Sequence, residues 1–448
     1  MGKLFGTDGV RGIANTELTN ELAYKLGRFG AHVLTEDKGR AKILIAKDTR
    51  VSGDMLESAM ISGILSAGCD VIKIGVLPTP AVAYLVRHLD VDAGVMISAS
   101  HNPVEYNGIK FFDKDGFKLP DATELRIEDF ILNDKDLPHN PSGIDLGRKT
   151  EVYRAMDLYA DYVKSTVDVD FKGLKVSLDA ANGAAYEVAR KTLKELGADV
   201  SCIHAEPDGF NINAGCGSTH PEKVAAEVIL NRTDIGLAFD GDADRLIAVD
   251  ETGRVIDGDK IMAICGTHMR SKGKLNNDTI VATVMSNLGL DIAMKGESIN
   301  LEKTKVGDRY VLEAMKAGQH SLGGEQSGHI IFLDHNTTGD GLLTAVQLMY
   351  VMKDTGKKLS ELASIMDTYP QVLKNAKVTN AKKHAYGEDE VIVKRIAEVE
   401  DYFHGQGRVL IRPSGTEPLV RVMIEGKNQD ELNKFAEELV ELIEQRLG

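Results

Sequence analysis

The fold is decided by residues 43–97, which read ILIAKDTRVSGDMLESAMISGILSAGCDVIKIGVLPTPAVAYLVRHLDVDAGVMI. Three short apolar runs predict buried strands, and the two stretches between them have the apolar spacing of helices. The predicted strands cover residues 43–46, 71–74 and 94–97, and the predicted helices cover residues 52–67 and 81–89. This alternation predicts a mostly parallel sheet with helices on both faces, and ligands in such folds bind beyond the carboxyl ends of the strands.

Two further segments repeat the strand–helix alternation, and the last segment does not. From Tyr369 onward the pattern changes to strand, helix, strand, strand, helix, which indicates a smaller α+β domain. We therefore predict an α/β protein of four domains with borders at residues 1–152, 153–255, 256–367 and 368–448. The predicted strands in the second and third segments cover residues 174–178, 199–204 and 279–284, and the helices cover residues 186–196, 261–269 and 341–355.

The composition excludes several classes of protein. A net charge of −15 over 448 residues argues against nucleic acid or an anionic membrane as the main partner. The four cysteines are widely spaced and form no Cys-x-x-Cys pair, as expected for reduced thiols. No apolar run reaches the length of a membrane span, and the N-terminus lacks the apolar core of a signal peptide. We therefore expect a soluble, cytoplasmic protein.

The run Asp240-Gly241-Asp242-Ala243-Asp244-Arg245 carries the strongest chemical signal. Three carboxylates at alternate positions, separated only by Gly and Ala, let the backbone fold tightly around a hard cation, and an all-oxygen ligand set suits Mg²⁺. The apolar flanks at 235–239 and 246–249 predict two strands, so the carboxylates would lie on a connecting loop. Arg245 is a candidate contact for a phosphate group, because guanidinium matches phosphate geometry.

Two alternatives compete with this interpretation of the acidic run. An EF-hand loop also begins Asp-x-Asp-x-Asp, and Glu251 even falls at its twelfth position. The sixth position of that loop is normally Gly, however, whereas it is Arg245 here, and the flanks look like strands and not helices. The other alternative is a solvated acidic turn without a ligand.

A second candidate loop follows the strand predicted at 94–97 and contains Ser98 and Ser100. Pro103 restricts the residue before it to an extended conformation, which helps to fix the loop. A serine needs an adjacent base or a metal to act as a nucleophile, and the residues alone favour Ser100 over Ser98 only slightly. Lys110 could return to the same loop through a hairpin, although it could equally be a solvated strand residue.

Two further loops combine polar groups that suit a sugar phosphate. The segment 412–418 joins two apolar strands and offers hydroxyls, backbone N–H groups and a guanidinium, which can form an anion-binding nest; Arg421 can add a second guanidinium. Glu325, Ser327 and His329 occupy alternate positions, so their side chains would share one side if the segment were extended. Glu325 could accept hydrogen bonds from sugar hydroxyls, and His329 could act as an acid or a base.

These loops, taken together, resemble the α-D-phosphohexomutase superfamily over the whole chain, and most closely its bacterial phosphoglucosamine mutases. The opening Phe-Gly-Thr-Asp-Gly-Val-Arg-Gly and Gln326 carry the closer resemblance. The five motifs that match in order are Gly6–Gly12, Ser100–Pro103, Asp240–Arg245, Gly324–His329 and Arg412–Pro418. The resemblance implies three similar α/β/α domains with mixed, mostly parallel sheets and a smaller C-terminal domain that is similar to the TATA-binding-protein fold.

The resemblance also implies roles for individual residues, including the choice of Ser100 as the residue that carries the phosphoryl group. Lys110 would be a candidate general base, and the loop Val306–Tyr310 would complete the sugar contacts. The residues implied in catalysis are Ser100, Lys110, Arg11 and His329, and those implied in Mg²⁺ binding are Ser100, Asp240, Asp242 and Asp244. The residues implied in substrate binding are Glu325, Ser327, Arg309, Arg245, Arg412, Ser414, Gly415, Thr416 and Arg421.

The implied reaction is the interconversion of glucosamine 6-phosphate and glucosamine 1-phosphate through a 1,6-bisphosphate, which would feed UDP-N-acetylglucosamine synthesis. A sugar 1,6-bisphosphate would prime the enzyme, and the family suggests a homodimer. Three alternatives stay open. They are a phosphomannomutase/phosphoglucomutase of the same superfamily, a Mg²⁺-dependent phosphatase that passes through phosphoserine, and a noncatalytic protein that binds Ca²⁺ or a sugar phosphate.

Overall fold

The computed structural model describes residues 2–6, 8–35, 38, 40–414 and 417–448. The chain forms two compact units, each with its own core. The first unit comprises Met1–Met285 and Ile299–Ile365, and the second comprises Ser286–Ser298 and Met366–Gly448. The described residues contain no helix that is both long and apolar enough to cross a membrane. All four cysteines are free thiols, as the sequence predicted.

The first sheet of the first unit contains the segment 43–97. Its strands are β1 (Val10–Ile13), β2 (Lys42–Lys47), β3 (Asp70–Val76), β4 (Ala93–Ile97), β5 (Tyr106–Asp113) and β6 (Lys149–Glu151), and its helices are α1 (Asn20–Thr35), α2 (Ser52–Ser66), α3 (Thr79–His88) and α4 (Asp121–Leu132). The strand order is β1-β5-β4-β2-β3-β6, with β5 antiparallel to both of its neighbours and the remaining pairs parallel.

The elements predicted within 43–97 are all present, with ends that differ by at most two residues. Helix α3 begins two residues earlier than predicted and contains Pro80 in its first turn. A proline is tolerated there because the N–H groups of the first turn have no partner within the helix. Alternating residues of β2 and β4, among them Ile43, Ile45 and Val95, pack with α1 and α2 in one buried cluster.

The second sheet of this unit has the order β11-β10-β9-β7-β8. Its strands are β7 (Lys175–Asp179), β8 (Asp199–Ile203), β9 (Ile235–Phe239), β10 (Leu246–Asp250) and β11 (Val255–Ile256), and its helices are α5 (Ala155–Ser165), α6 (Val188–Glu195) and α7 (Glu222–Asn231). Strands β7, β8 and β9 are parallel, and β9 and β10 form an antiparallel hairpin. The strands predicted on both sides of the acidic run are therefore present, which rules out the helical flanks of an EF-hand.

The third sheet has the order β13-β12-β14-β15. Its strands are β12 (Thr279–Thr283), β13 (Asn300–Thr304), β14 (Leu322–Gly324) and β15 (Ile330–Phe332), and the helices in this part of the chain are α8 (Gly258–Ser271), α9 (Leu288–Gly296), α10 (Asp308–Gly318), α11 (Gly341–Thr355) and α12 (Leu359–Ala363). Strands β12, β13 and β14 are parallel, and β15 returns antiparallel to β14. Helix α9 belongs to the second unit.

The second unit contains a three-stranded antiparallel sheet of order β16-β18-β17. Its elements are β16 (Gln371–Lys377), α13 (Glu390–Tyr402), β17 (Arg408–Pro413), β18 (Leu419–Glu425) and α14 (Gln429–Leu447), in the predicted order of strand, helix, strand, strand, helix. Val420, Val422 and Ile424 alternate along β18 and pack with Leu432 and Leu439 of α14. The α/β class with a smaller C-terminal antiparallel sheet is thus confirmed, whereas the four domain borders stay a prediction.

Candidate active site

The three carboxylates of the acidic run converge in the loop between β9 and β10. Asp240, Asp242 and Asp244 are all buried, and each offers one oxygen within 4.8 Å of the others. The Oδ1 atoms of Asp242 and Asp244 have no hydrogen-bond partner among the described residues. Buried carboxylate oxygens are normally paired, so these two oxygens are available as ligands for a cation. An all-oxygen donor set of this kind fits a hard divalent ion.

The pKa values in this loop reflect the same crowding of negative charge. Burial and the charges of Asp244 and Asp242 raise the pKa of Asp240 well above its usual value, and burial and Asp242 also raise the pKa of Asp244. Burial acts in the same direction on Asp242, but the ammonium of Lys110 outweighs it and lowers that pKa. Thr79 Oγ1 also donates to Asp242 Oδ2 at 2.5 Å. The protein therefore compensates the negative charge of Asp242, whereas it disfavours the charged forms of Asp240 and Asp244.

The loop after β4 separates the two serines that the sequence left in competition. Ser100 Oγ donates to Asp240 Oδ2 at 2.6 Å and is 1% exposed, whereas Ser98 Oγ donates to Asp48 Oδ2 at 2.6 Å. Ser100 adopts a left-handed backbone conformation with φ of 54°, which is unusual for a residue other than glycine. This geometry places the Ser100 hydroxyl at the carboxylate cluster, whereas the Ser98 hydroxyl bonds to Asp48, which is not one of the three carboxylates.

Lys110 and Arg11 lie on neighbouring strands beside the cluster. The predicted hairpin is present, because Lys110 on β5 pairs with Met96 on β4, and Arg11 on β1 pairs with Gly108 on β5. Lys110 Nζ contacts Asp242 Oδ2 at 2.8 Å and Asp8 Oδ2 at 2.9 Å. Burial opposes the charge of this ammonium, but Asp242, Asp8 and Asp244 outweigh burial and raise its pKa. The carboxylates around Lys110 therefore favour its charged form.

The segment Glu325–His329 forms a tight turn between β14 and β15, in which Gly328 N donates to Glu325 O at 3.0 Å. The segment is not extended, so the expected alternation of its side chains does not apply. Ser327 is exposed at the tip, Glu325 is half-buried, and His329 is buried. Glu325 Oε1 accepts from the N–H of Gly307 at 3.1 Å. The turn thus exposes Ser327 and part of Glu325 to solvent, while the hydrogen bond between Gly328 and Glu325 fixes its backbone.

His329 and Arg245 lie next to each other through an isolated antiparallel bridge. His329 Nε2 is 3.9 Å from Asp244 Oδ2, and neither ring nitrogen makes a hydrogen bond to a described residue. Arg245 Nε likewise makes no hydrogen bond to a described residue, and it lies 3.9 Å from Asp244 Oδ1. Burial opposes its charge, but Asp240 and Asp244 raise the pKa of Arg245. These two side chains have hydrogen-bonding capacity that a bound anion could use.

The loop Val306–Tyr310 places a different residue at the charged cluster from the one the sequence analysis singled out. Arg309 pairs with Asp121 and Glu313. Its neighbour Asp308, the first residue of α10, accepts from Lys118 and lies 3.7 Å from His329 Nε2. Arg309 lines the same cavity as Lys110 and His329, but its guanidinium is paired with the carboxylates of Asp121 and Glu313.

Four residues of the cluster were missed by sequence reasoning. Asp8 bridges Lys110 and Lys118, and it lies in the Gly-rich opening loop that was chosen for its arginine. Asp308 lies in the loop Val306–Tyr310, which the resemblance implied for sugar contacts and of which only Arg309 was named as a site residue. A search for acidic partners near each arginine would have found both carboxylates. Lys118 and Thr79 carry no signal in the sequence, because only the fold brings them to the cluster.

A second group of metal-ligating side chains, Asp179, His204 and Cys216, lies at the carboxyl ends of β7 and β8. Here the carboxylate is already satisfied, because Asp179 accepts from the N–H groups of Ala181 and Gly217 and contacts His204 Nδ1 at 3.0 Å. Burial, followed by the charge of Asp179, raises the pKa of the Cys216 thiol to about 12. This group therefore acts as a structural link between loops.

The predicted phosphate-binding residues of the second unit lie at the β17–β18 hairpin. Arg412 and Arg421 face each other across the two strands. Arg412 makes no hydrogen bond or ion pair to a described residue, and the nearest carboxylate oxygen to Arg421 is that of Glu417 at 3.9 Å. Burial and the charge of Arg421 lower the pKa of Arg412. Like charges opposite each other are unfavourable without an anion between them.

Ser414 begins the turn of this hairpin and is buried. Its N–H donates to Leu419 O at 2.9 Å, and its Oγ accepts from the N–H of Glu417 at 3.2 Å. Gly415 and Thr416, which were also predicted to bind phosphate, lie outside the described residues. The described part of the hairpin thus contains two guanidinium groups and a serine whose N–H and Oγ are hydrogen-bonded to the backbone of the same hairpin.

Four family models match consecutive parts of the chain. All four are described as phosphoglucomutase/phosphomannomutase domains: the alpha/beta/alpha domains I, II and III and the C-terminal domain. Domain I matches residues 2–137, domain II residues 157–253, domain III residues 257–369 and the C-terminal domain residues 373–442. The matches occur in the order in which the three sheets of the first unit and the sheet of the second unit occur in the chain.

Individual relatives cover the whole chain. The phosphoglucosamine mutase of Alkaliphilus oremlandii is 64% identical over 449 residues and covers 100% of both chains. Among solved structures, a phosphoglucomutase/phosphomannomutase family protein of Burkholderia thailandensis has a TM-score of 0.81 at 23% identity and covers 99% of this chain and 98% of its own. The N-acetylphosphoglucosamine mutase of Aspergillus fumigatus, in complex with GlcNAc-6P and magnesium, has a TM-score of 0.66 at 17% identity, with coverage of 99% and 96%. The chain therefore belongs to the phosphoglucomutase/phosphomannomutase family, within the α-D-phosphohexomutase superfamily.

Proposed function

We propose that this chain interconverts glucosamine 6-phosphate and glucosamine 1-phosphate, and that Ser100 carries the phosphoryl group between substrate molecules. The observation that carries the proposal is the 2.6 Å contact from Ser100 Oγ to Asp240, in a buried carboxylate cluster with two oxygens that make no hydrogen bond to a described residue. The amino sugar is supported by the 64% identity to a protein named phosphoglucosamine mutase. A serine hydroxyl beside a carboxylate cluster that can hold a metal ion suits phosphoryl transfer through a phosphoserine.

The reaction would consist of two balanced transfers. In the first, the bond from phosphorus to Ser100 Oγ breaks and a bond from phosphorus to the free hydroxyl oxygen of the sugar monophosphate forms. The hydroxyl proton leaves, the serine oxygen takes one up, and the 1,6-bisphosphate results. In the second transfer the other phosphoryl group returns to Ser100 Oγ. The sum is an isomerisation with no net consumption of phosphate.

Ser100, Asp240, Asp242 and Asp244 would hold the metal ion, for which we propose Mg²⁺. When bound, Mg²⁺ would neutralise charge on the transferring phosphoryl group. Arg11 and Lys110 would flank that group with fixed positive charge. The raised pKa of Lys110 favours this electrostatic role, so a general-base role would require the ammonium first to lose its proton. His329, with both ring nitrogens available, is the second candidate for proton transfer.

The remaining predicted residues would bind the substrate. Glu325 and Ser327 would contact sugar hydroxyls, and Arg245 and Arg309 would complete the contacts with the sugar phosphate. The residues proposed to bind the phosphate that does not react are Arg412, Ser414, Gly415, Thr416 and Arg421. We further propose that a sugar 1,6-bisphosphate primes the enzyme and that the chain acts as a homodimer in the cytoplasm.

The test is ³¹P NMR of the purified protein with glucosamine 6-phosphate, Mg²⁺ and a trace of glucose 1,6-bisphosphate. A new resonance of glucosamine 1-phosphate is the expected result, and Ser100→Ala protein should give none. Growth of inorganic phosphate instead would identify a phosphatase. An unchanged spectrum with the amino sugar, together with turnover of mannose or glucose 6-phosphate, would overturn the substrate assignment and keep the mutase chemistry.

A further inference from the structure

Arg50 is a fully buried arginine whose guanidinium gathers the backbone of the serine loop. Its Nη1 donates to Pro103 O at 2.6 Å, and its Nη2 donates to Ser100 O at 3.0 Å and to Asn102 O at 2.8 Å. Its Nε donates to Asp48 Oδ2 at 2.9 Å. A single side chain therefore ties three carbonyl oxygens of one short loop to one carboxylate.

Asp48 connects the same loop from the other side. Its Oδ2 accepts from Ser98 Oγ at 2.6 Å, and Ser98 Oγ in turn accepts from the N–H of Ser100 at 3.0 Å. Asp48 Oδ1 accepts from the N–H of Arg50, which fixes the carboxylate relative to the guanidinium. The carbonyl oxygen of Ser100 therefore bonds to Arg50 directly, and its N–H is linked to Asp48 through Ser98 Oγ. The hydrogen bonds of Asp48 and Arg50 go to each other and to the serine loop, and not to the three carboxylates of the acidic run.

The loop needs such support, because Ser100 is held in the left-handed region with φ of 54°. This conformation is unfavourable for a residue with a Cβ atom and persists only where the surroundings impose it. Asn213 adds two more hydrogen bonds, from Nδ2 to the carbonyl oxygens of Ser100 and Asn102. Of the six hydrogen bonds that side chains make to these carbonyl oxygens and to the N–H of Ser100, four come from Arg50 and Ser98.

We propose that Asp48, Arg50 and Ser98 form a positioning group that holds Ser100 in its left-handed conformation, with its Oγ at the carboxylate cluster. Ser98 then serves the geometry of the loop and not the chemistry. This inference rests on the proposed function only in taking Ser100 as the residue that is phosphorylated. A displaced hydroxyl slows phosphoryl transfer and leaves sugar binding unaffected, because the proposed sugar ligands lie on other loops.

The test uses the full-length Arg50→Lys variant, which keeps the positive charge but cannot reach three carbonyls and a carboxylate at once. Arg40→Lys is the matched control, since Arg40 pairs with Asp70 at the surface of the same sheet. We expect Arg50→Lys to lower kcat by about 100-fold with KM changed less than about threefold. The rate at which a sugar 1,6-bisphosphate phosphorylates Ser100, followed by intact mass, should fall by the same factor. Arg40→Lys should behave as wild type.

Hydrogen exchange of the peptide that spans residues 97–105 gives a readout that does not depend on the sugar. Exchange in this peptide should accelerate in Arg50→Lys and not in Arg40→Lys. This result is expected even if wild-type protein proves inactive on glucosamine phosphate, and in that case only the proposed function fails. Ser98→Ala removes the two hydrogen bonds that Ser98 Oγ makes with Asp48 and with the N–H of Ser100, and it removes no buried charge. This variant serves if Arg50→Lys does not fold, and it should lower kcat about tenfold at unchanged KM. Wild-type kcat and unchanged exchange in either folded variant would overturn the inference.

Discussion

The acidic loop between β9 and β10 and the β17–β18 hairpin carry opposite excesses of charge. In the acidic loop, two buried carboxylate oxygens have no partner among the described residues, and two of the three pKa values are raised. In the hairpin, Arg412 and Arg421 face each other, and the pKa of Arg412 is lowered. Like charges repel one another in each region, and a ligand of the opposite charge would reduce that repulsion.

The difference between the two regions indicates what each one binds. The acidic loop is buried and offers oxygen atoms only, which suits a desolvated divalent cation. The hairpin is partly exposed and offers planar guanidinium groups, which suit a phosphate that arrives from solvent. A protein that carries both regions is equipped for a metal and for a phosphorylated ligand. This requirement matches the proposed mutase reaction, in which one phosphate reacts and the other is only held.

The largest effect is expected from Ser100→Ala, which removes the only hydroxyl that contacts Asp240 Oδ2 in the described part of the chain. Turnover of glucosamine 6-phosphate should fall by at least about 10⁴-fold, because the covalent route is lost. The midpoint of thermal unfolding should stay close to that of wild type. Ser58→Ala, an exposed serine on α2, is the control. Substantial mutase activity in the folded Ser100 variant would reject the serine as nucleophile.

The next largest effect should come from Asp244→Asn, which removes one negative charge from the acidic loop. Without metal, the midpoint of thermal unfolding should rise by about 2 °C, because burial and repulsion by Asp242, which together raise the pKa of Asp244, no longer act on a charged group. The further rise that Mg²⁺ causes in wild type should shrink, because stabilisation by a ligand follows its affinity. Turnover should fall by about 100-fold or more.

Thermal unfolding in EDTA and in Mg²⁺ measures both parts of this second prediction. Asp136→Asn, an exposed carboxylate outside any helix or strand, is the control and should change neither midpoint. A lower midpoint in EDTA for Asp244→Asn would show that Asp244 is well matched by Lys110 and His329. That result would remove the contrast between the two regions.

The parts of the site that could be predicted from sequence are those in which neighbouring residues share one task. The acidic loop was found because its three carboxylates alternate within five residues, and the flanking strands were found because they are short and continuously apolar. Lys118 and Thr79 could not be found in this way. They reach Asp308 and Asp242 from 190 and 163 residues away in the sequence, so their role depends on the packing of separate sheets.

The serine loop shows a second limit of sequence reasoning. Ser98 and Ser100 carry the same hydroxyl group and both follow the same predicted strand, so the local sequence favours Ser100 only slightly. The distinction arises because Ser100 takes a left-handed conformation that turns its Oγ towards Asp240, while Ser98 Oγ turns towards Asp48. Backbone conformation of this kind depends on contacts such as those of Arg50, which sequence patterns do not show.

A smaller effect is expected from Arg412→Ala in the hairpin. KM for the sugar monophosphate should rise by about 10- to 100-fold, the size of one or two hydrogen bonds to a charged group, and kcat should change less. Arg395→Ala is the control in the same unit, because Arg395 is already paired with Glu398 and Glu438 at the surface. Steady-state kinetics with glucosamine 6-phosphate measures both. An unchanged KM would remove the hairpin from the phosphate site.

The smallest effect is expected from Arg309→Ala. This variant tests whether a charged side chain without an ion-pair partner contributes more to binding than one that is already paired. Arg309 is a predicted substrate contact, but its guanidinium is already paired with Asp121 and Glu313. Partly exposed ion pairs of this kind contribute little, so its loss should raise KM by less than about fivefold. Arg412→Ala assayed in parallel gives the reference. A rise in KM for Arg309→Ala that equals the rise for Arg412→Ala would mean that Arg309 leaves its carboxylates to bind substrate. In that case the pairing of a charge in the free protein does not indicate how much it contributes to substrate binding.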